Sequence, residues 1–372
     1  MHQQAALDSP SVQALFALLR AEMWQEPELA CTLTAEEWGA VVDEAQRQAV
    51  AGLAISSLVR FNVALGQERA LKSYSLLMQI KQRNAFMNKQ MASFVGFMNK
   101  RELPFAVVKG QVVGSDYPNP DVRTSGDIDF YCDSTTFPKA KAAFEKMLGR
   151  DLSHDQSAKH VEFEAGGVIY ELHSMLSEFA HKPYQDYLNR IVEEDVRTNT
   201  ATVDVDGTAV PTLSPTMNAL YIFVHIYYHL ITSGVGLRQL CDLAVFIHAH
   251  RDEIDKAQLD EWLGGLGLRK GYTAMGAALV EALGLPEAEF PFALTEKDRK
   301  RGRKILKNML RMGNFGHDAR KTKKLGLLHS METGWISLRQ CLSFYALCPK
   351  DARSRVPYLL TWFLKRRTGH TD

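Results

Sequence analysis

The stretch that decides the fold is Phe105–Cys132, FAVVKGQVVGSDYPNPDVRTSGDIDFYC. Pro104 interrupts a helical pattern, and the apolar run 105–108, closed by Lys109-Gly110, predicts a short strand that turns into a helix. The run 127–133, DIDFYCD, alternates charged and apolar residues and predicts a second strand. Residues two apart on a strand project from one face, so Asp127 and Asp129 share theirs. Carboxylates placed this way can share a pair of cations about 3.5–4 Å apart, the arrangement that stabilises the attacking and leaving oxygens of an in-line phosphoryl displacement. All-oxygen ligands favour Mg2+ or Mn2+.

Downstream, Ser134 can cap a helix from about Thr135 to Leu148, and KHVEFEAGGVIYELH (159–173) reads as a hairpin turned by Gly166-Gly167. Glu171 lies between apolar residues on the second arm, where a third carboxylate belongs, with Glu162 and Glu164 as the next choices. A smaller hairpin is expected around Asp206-Gly207. Upstream, Ser9-Pro10 opens a helix with Val12, Leu15, Phe16 and Leu19 on one face. Thr34 and Glu37 form a capping box for a second helix to about Arg60, and a third helical pattern runs from about Gln67 to Lys100. After Ser214-Pro215 the helical period resumes nearly to the end. The expected organisation is an N-terminal helical region (1–100), an α+β core (101–212) with a small mixed sheet, and a C-terminal helical domain (213–372).

Across 372 residues, 44 Lys and Arg balance 43 Asp and Glu, so no whole-molecule field implies a polyanionic partner. The N-terminus lacks the basic and apolar regions of a secretory signal, and the five cysteines are scattered with no C-x-x-C pair. Both features suit a reducing, cytoplasmic setting. The most apolar stretch, 219–231, contains His225 and His229 and is too short to span a bilayer of about 18 residues. Between Lys297 and Lys324, twelve basic residues stand against two acids. Such a segment could attract nucleic acid, but Phe315 is its one aromatic residue for stacking on bases, and a solvated helix face is the favoured reading. The tail 356–367, VPYLLTWFLKRR, is expected to dock as a helix rather than to bind a membrane.

For a nucleotide, Lys109 and the Gly110 turn, together with Arg123, Ser125 and Gly126 before the acidic strand, are the expected phosphate contacts. His160 and His173, on the hairpin near Glu171, would orient an acceptor or bond a carboxylate. His225, His229, Arg238 and Asp242 would face the nucleotide or the acceptor, with an intrahelical ion pair as the plain reading of Arg238 and Asp242.

The run 105–132, followed by 159–173 and by HIYYHLITSGVGLRQLCDLAVFI (225–247), resembles a bacterial family of uncharacterised nucleotidyltransferases within the DNA polymerase beta-like superfamily. The likeness is close over roughly residues 70–250 and looser at the ends. It implies a polymerase beta-like core flanked by helices, metal dependence, and transfer of a nucleoside monophosphate from an NTP to an unidentified acceptor with release of pyrophosphate. The superfamily's paired aspartates fall on Asp127 and Asp129, and its third carboxylate falls on Glu171. Where the superfamily has Gly followed by Gly or Ser after its first strand, this chain has Gly110-Gln111, which removes a hydroxyl that often touches phosphate. Two alternatives stay open: a nucleotide-binding regulatory protein of impaired activity, and a metal-dependent phosphohydrolase using His225, His229 and His317-Asp318.

Overall fold

The computed structural model describes residues 7–157, 159–319 and 327–357, with the side chains of 317–319 and 327–330 outside that description. The basic residues of 320–324, the tail from residue 358 and the His317-Asp318 side chains therefore lie outside the described residues.

The chain begins with α1 (Pro10–Trp24), α2 (Ala35–Arg47), α3 (Ala51–Arg60) and the long α4 (Gln67–Asn99). Ser9 occupies the N-cap position of α1 without a side-chain bond to the helix backbone, whereas Thr34 and Glu37 close both halves of the capping box on α2. The second helix does not run unbroken to Arg60. It stops at Gln48, and Ala49 adopts φ 58°, a left-handed conformation that ends an α-helix. Long-range bonds hold this break. Gln48 Nε2 donates to the Met309 carbonyl at 3.2 Å, and Gln48 Oε1 accepts from the Leu237 N–H at 3.3 Å. None of these partners is near in sequence, so helical periodicity carries no sign of them.

Next come β1 (Ala106–Val108), the five-residue α5 (Gly110–Gly114), a 3-10 turn (Pro120–Val122), β2 (Ile128–Tyr131) and α6 (Phe137–Leu148). Helix α6 starts two residues later than expected because Asp133 Oδ1, rather than Ser134, accepts the N–H groups of Thr135 and Thr136. The hairpin follows as β3 (His160–Ala165) and β4 (Val168–His173), with Gly166 and Gly167 both at positive φ. Helix α7 (Lys182–Thr198), with Tyr184, Leu188, Ile191 and Val192 buried, is an element the sequence reading does not predict; it precedes the small hairpin expected around Asp206-Gly207, β5 (Thr202–Val205) and β6 (Thr208–Pro211). Among the described residues the α-helices that follow include α8 (Pro215–Thr232), α9 (Leu237–His250), α10 (Lys256–Gly265), α11 (Arg269–Leu283), α12 (Glu296–Met312) and α13 (Leu327–Ser343).

The architecture is thus α+β, a small mixed sheet held between helices. Its strand order is β1-β2-β4-β3, with β2 and β4 parallel and both outer pairs antiparallel. A parallel pair needs a crossover, which α6 and β3 supply. One sheet face, with Ile128, Phe130, Tyr170 and Leu172, packs against Phe94 and Met98 of α4 and Phe144 of α6 in an aromatic core. A second core joins α1–α3 to α8, α9, α11 and α12, so the N- and C-terminal helices share their apolar interior. Alternation leaves the polar residues of β2 and β4 on the opposite sheet face, toward α8.

Three arginines on the basic face of α12 are ion-paired. Arg303 Nε lies 2.7 Å from Glu281, Arg299 Nη2 2.8 Å from Glu287, and Arg301 Nη1 3.3 Å from Asp298. Its opposite face buries Ile305, Leu306 and Met309.

Candidate active site

Register brings the acidic residues together. In the sheet Asp129 lies beside Val108 of β1 on one side and beside Glu171 of β4 on the other. Ligand oxygens of Asp127, Asp129 and Glu171 all lie within 4.8 Å of one another. Asp129 is buried, and Asp127 and Glu171 are half-buried. Crowding shows in their protonation. The charge of Asp129, followed by burial, pushes Asp127 up to about 6 against the pull of Lys109. Burial also works against ionised Asp129, yet Lys109 and His173 bring its carboxyl well below the usual range.

Lys109 stands at the end of β1 with φ 59° and ψ −147°, a region that non-glycine residues adopt at a cost of about 1–3 kcal/mol. That backbone turn directs the side chain across the sheet face. Its Nζ lies 2.8 Å from Asp129 Oδ1 and 5.8 Å from the centre of the Tyr221 ring on α8. Burial opposes the ammonium, but Asp129 foremost lifts it above an ordinary lysine. Gly110 follows at φ 50°, so glycine there serves backbone conformation. Gln111, at the position of the missing hydroxyl, is buried and its Nε2 donates to Asn88 of α4 at 2.9 Å.

His173 is fully buried, and its Nε2 lies 2.9 Å from Asp129 Oδ1 and 3.1 Å from Glu171 Oε2. His160 pairs with His173 across the hairpin, with ring centres 5.2 Å apart and its Nδ1 4.0 Å from Glu171 Oε2. Burial holds His160 below the ordinary imidazole range. Glu162 and Glu164, the next choices for a third carboxylate, are exposed on the outer strand.

The loop before the aspartates is held by a buried network. Arg123 directs Nε and Nη2 at the two carboxylate oxygens of Asp242 on α9, both at 2.8 Å, and Tyr117 donates to Asp242 Oδ1 at 2.7 Å. Asn84 Nδ2 of α4 donates to the carbonyls of Asp121 and Arg123, both at 2.7 Å. Arg123, at 5% exposure with its fork engaged, is therefore not disposed toward a phosphate as the sequence suggested. Asp242 correspondingly takes Arg123, not Arg238, as its ion partner. Arg238 Nη1 instead donates to the Thr124 carbonyl at 3.0 Å, and its Nε is buried without a partner among the described residues. Ser125 Oγ is likewise buried without a partner, and a Cβ on Gly126 would lie 3.9 Å from Arg238 Nη1.

His225 and His229 meet edge to face along α8 with ring centres 4.5 Å apart. Burial, then Lys109, holds His225 well below the imidazole range and His229 down at about 3, so both are neutral near pH 7. Among the described residues, the groups of three or more side chains placed to hold a metal are Asp127, Asp129, Glu171 and His160, Glu171, His173. Neither includes His225 or His229. Lys159, a residue not singled out from the sequence, has its Nζ 5.5 Å from the centre of the Tyr228 ring, and burial, then Lys109, lowers its ammonium. It stands at a strand entrance, where lysine is ordinary, so only its depth beside the carboxylates reveals it.

A family model described as an uncharacterised nucleotidyltransferase matches residues 34–283, well over half of the chain. The chain belongs to this family. The matched span runs from the cap of α2 to the end of α11 and includes the sheet, the carboxylates and the facing helices α8 and α9. The expected α+β core between helical flanks is the observed one. A solved structure described as an antigenic nucleotidyltransferase-like protein from Paracoccidioides brasiliensis is similar at 13% identity over 55% of this chain and 92% of that chain, with a TM-score of 0.29. No curated protein matches the chain. Among the described residues of this nucleotidyltransferase family member, no helix is long and apolar enough to cross a membrane.

Proposed function

We propose that the chain transfers a nucleoside monophosphate from an NTP to a hydroxyl-type acceptor, releasing pyrophosphate, at a divalent-cation site held by Asp127, Asp129 and Glu171. The observation that carries this reading is the convergence of three carboxylates within 4.8 Å, crowded enough to push Asp127 up to about 6. Such an all-oxygen, over-charged cluster fits Mg2+ or Mn2+. When bound, the cation would neutralise phosphate charge and favour the ionised form of the acceptor hydroxyl.

The rest falls to the chain's own residues. The acceptor oxygen forms a bond to the α-phosphorus as the bond from that phosphorus to the β-phosphate bridging oxygen breaks, and pyrophosphate leaves with the electron pair. Glu171 takes the acceptor proton. Lys109 and the Gly110 turn meet the phosphates together with Ser125 and Gly126; Ser125 Oγ and Arg238 Nε are buried polar atoms without a partner among the described residues and would add donors. Arg123 acts as a positioning residue, tying the 121–126 loop to α9 through Asp242. His173 orients Asp129 and Glu171. His225 and His229, neutral on α8, and His160 and Lys159, on the hairpin side, line the acceptor approach. The free thiols, four of five buried, support a cytoplasmic setting.

One observation favours a second reading, a nucleotide-binding member of impaired turnover. Asp129 Oδ1 is already engaged by both Lys109 and His173, and Gln111 is tied to Asn88 where a hydroxyl would stand. Calorimetric titration of NTP with and without Mg2+, paired with a pyrophosphate-release assay, separates the two. Mg2+-dependent binding with release supports transfer; binding without release under all acceptor conditions supports the second reading; no Mg2+-dependent binding to folded protein overturns both.

A further inference from the structure

We propose that His160, Glu171 and His173 form a transition-metal site that adjoins the carboxylate triad and shares Glu171 with it. It rests on the placement of Glu171 argued above, not on nucleotidyl transfer itself. The β3–β4 register puts His160 directly opposite His173, and Glu171 lies two residues before His173 on the same face. Hairpin geometry alone therefore gathers the three side chains, with no loop required to close over them.

Their ligand atoms lie within 4.8 Å of one another. Glu171 Oε2 is 3.1 Å from His173 Nε2 and 4.0 Å from His160 Nδ1. His173 Nε2 also lies 2.9 Å from Asp129 Oδ1, so an ion bound there replaces that hydrogen bond, with Lys109 still pairing Asp129. Ions bound through bonds of about 2.0–2.2 Å hold their ligands between roughly 3 Å apart, at right angles, and roughly 4.3 Å apart, when opposed. The two separations fall inside that span. His160 Nδ1 is buried with no hydrogen-bond partner among the described residues, although it faces the Glu171 carboxylate. A buried ring nitrogen left in this state is satisfied when its lone pair meets a metal ion.

The donor set differs in kind from the neighbouring triad. Two imidazole nitrogens with one carboxylate oxygen suit Zn2+, Co2+ or Fe2+, whereas Mg2+ prefers oxygen alone. The sheet thus places a nitrogen-rich ligand group beside an oxygen-only one, with Glu171 common to both. The ions they select are different, and a resident transition ion at the first would persist in a solution rich in Mg2+.

The test uses the full chain stripped by chelator and titrated with Co2+ alone, read by visible d–d absorption and by metal content after dialysis against millimolar Mg2+. The expected result is one Co2+ per chain that Mg2+ does not displace. His160→Gln should weaken Co2+ binding at least tenfold, whereas Asp127→Asn should leave it nearly unchanged. His160 is half-buried, so its variant is the one expected to fold, with circular dichroism as the check; His173→Gln supplies a second reading if it also folds. Absence of Co2+ binding by wild type, or binding lost in Asp127→Asn and kept in folded His160→Gln, overturns the proposal. Mg2+-dependent NTP binding, measured separately, reports on the triad, so failure of one site is distinguishable from failure of the other.

Discussion

Replacing Asp127 by Asn should stabilise the metal-free protein above pH 6. Folded Asp127 holds its proton up to about 6, whereas the ordinary value is 3.8. Between those values the folded state binds more protons than the unfolded one, so stability falls as pH rises through the window and the full penalty applies above about 6. At about 1.4 kcal/mol per tenfold, the gap amounts to about 3 kcal/mol at pH 7.5 and about 1.6 kcal/mol at pH 5. Asn keeps the shape without the charge and removes this penalty. With an unfolding entropy of about 2.1 cal/mol/K per residue, about 3 kcal/mol on a chain of 372 residues is a rise in Tm of roughly 4 °C at pH 7.5, and about half that at pH 5. Calorimetric melts in chelator at the two pH values measure it, and saturating Mg2+ should then raise the wild-type Tm more than the variant's. A variant that melts at or below wild type at pH 7.5, or whose gain is equal at both pH values, would refute the crowding of Asp127 by Asp129.

Glu171→Gln should lower the single-turnover rate at least 100-fold, about 2.7 kcal/mol of transition-state stabilisation, while calorimetric NTP affinity in Mg2+ changes little, because Asp127 and Asp129 still hold the cation; affinity collapsing with rate would show that Glu171 serves nucleotide capture rather than the chemical step. Asp242→Asn leaves the buried Arg123 guanidinium uncompensated and should cost about 3–5 kcal/mol in urea unfolding, with the Arg123→Met/Asp242→Leu double variant recovering part of the loss. Four-fold Glu replacement of Arg301, Arg303, Lys304 and Lys307 should leave RNA binding and its salt dependence unchanged in a filter assay, since these helix-face charges already have protein partners or solvent; a large loss would establish the segment as a nucleic-acid contact.

Local pattern made much of this protein legible. Alternation in 127–133 places two carboxylates on one strand face, and the Gly166-Gly167 turn pairs His160 with His173 in the register the structure shows. The Thr34 capping box needs only residues three apart. What escaped the sequence depends on partners distant in the chain. Arg123 and Asp242 lie 119 residues apart, so nothing local distinguishes a guanidinium that grips a helix from one that awaits phosphate. His173 and Asp129 are 44 residues apart, and their bond follows from the parallel pairing of β2 with β4, which strand patterns alone do not specify. The break at Ala49 is held by α9 and α12, against a helical propensity that would carry α2 onward. Helix α7 had a readable signal in its buried Tyr184, Leu188, Ile191 and Val192, which recur at helical spacing behind Pro183.

The most direct measurement follows α-32P-labelled and γ-32P-labelled NTPs, each incubated with the purified chain, Mg2+ and a cell extract as the source of acceptor. The account predicts that α-label alone appears in a product, that γ-label appears in pyrophosphate, and that Asp127→Ala and Asp129→Ala, each verified as folded, transfer neither. Label transferred at substantial rate by either variant, or γ-label in the product, would contradict nucleotidyl transfer at the Asp127, Asp129 and Glu171 site.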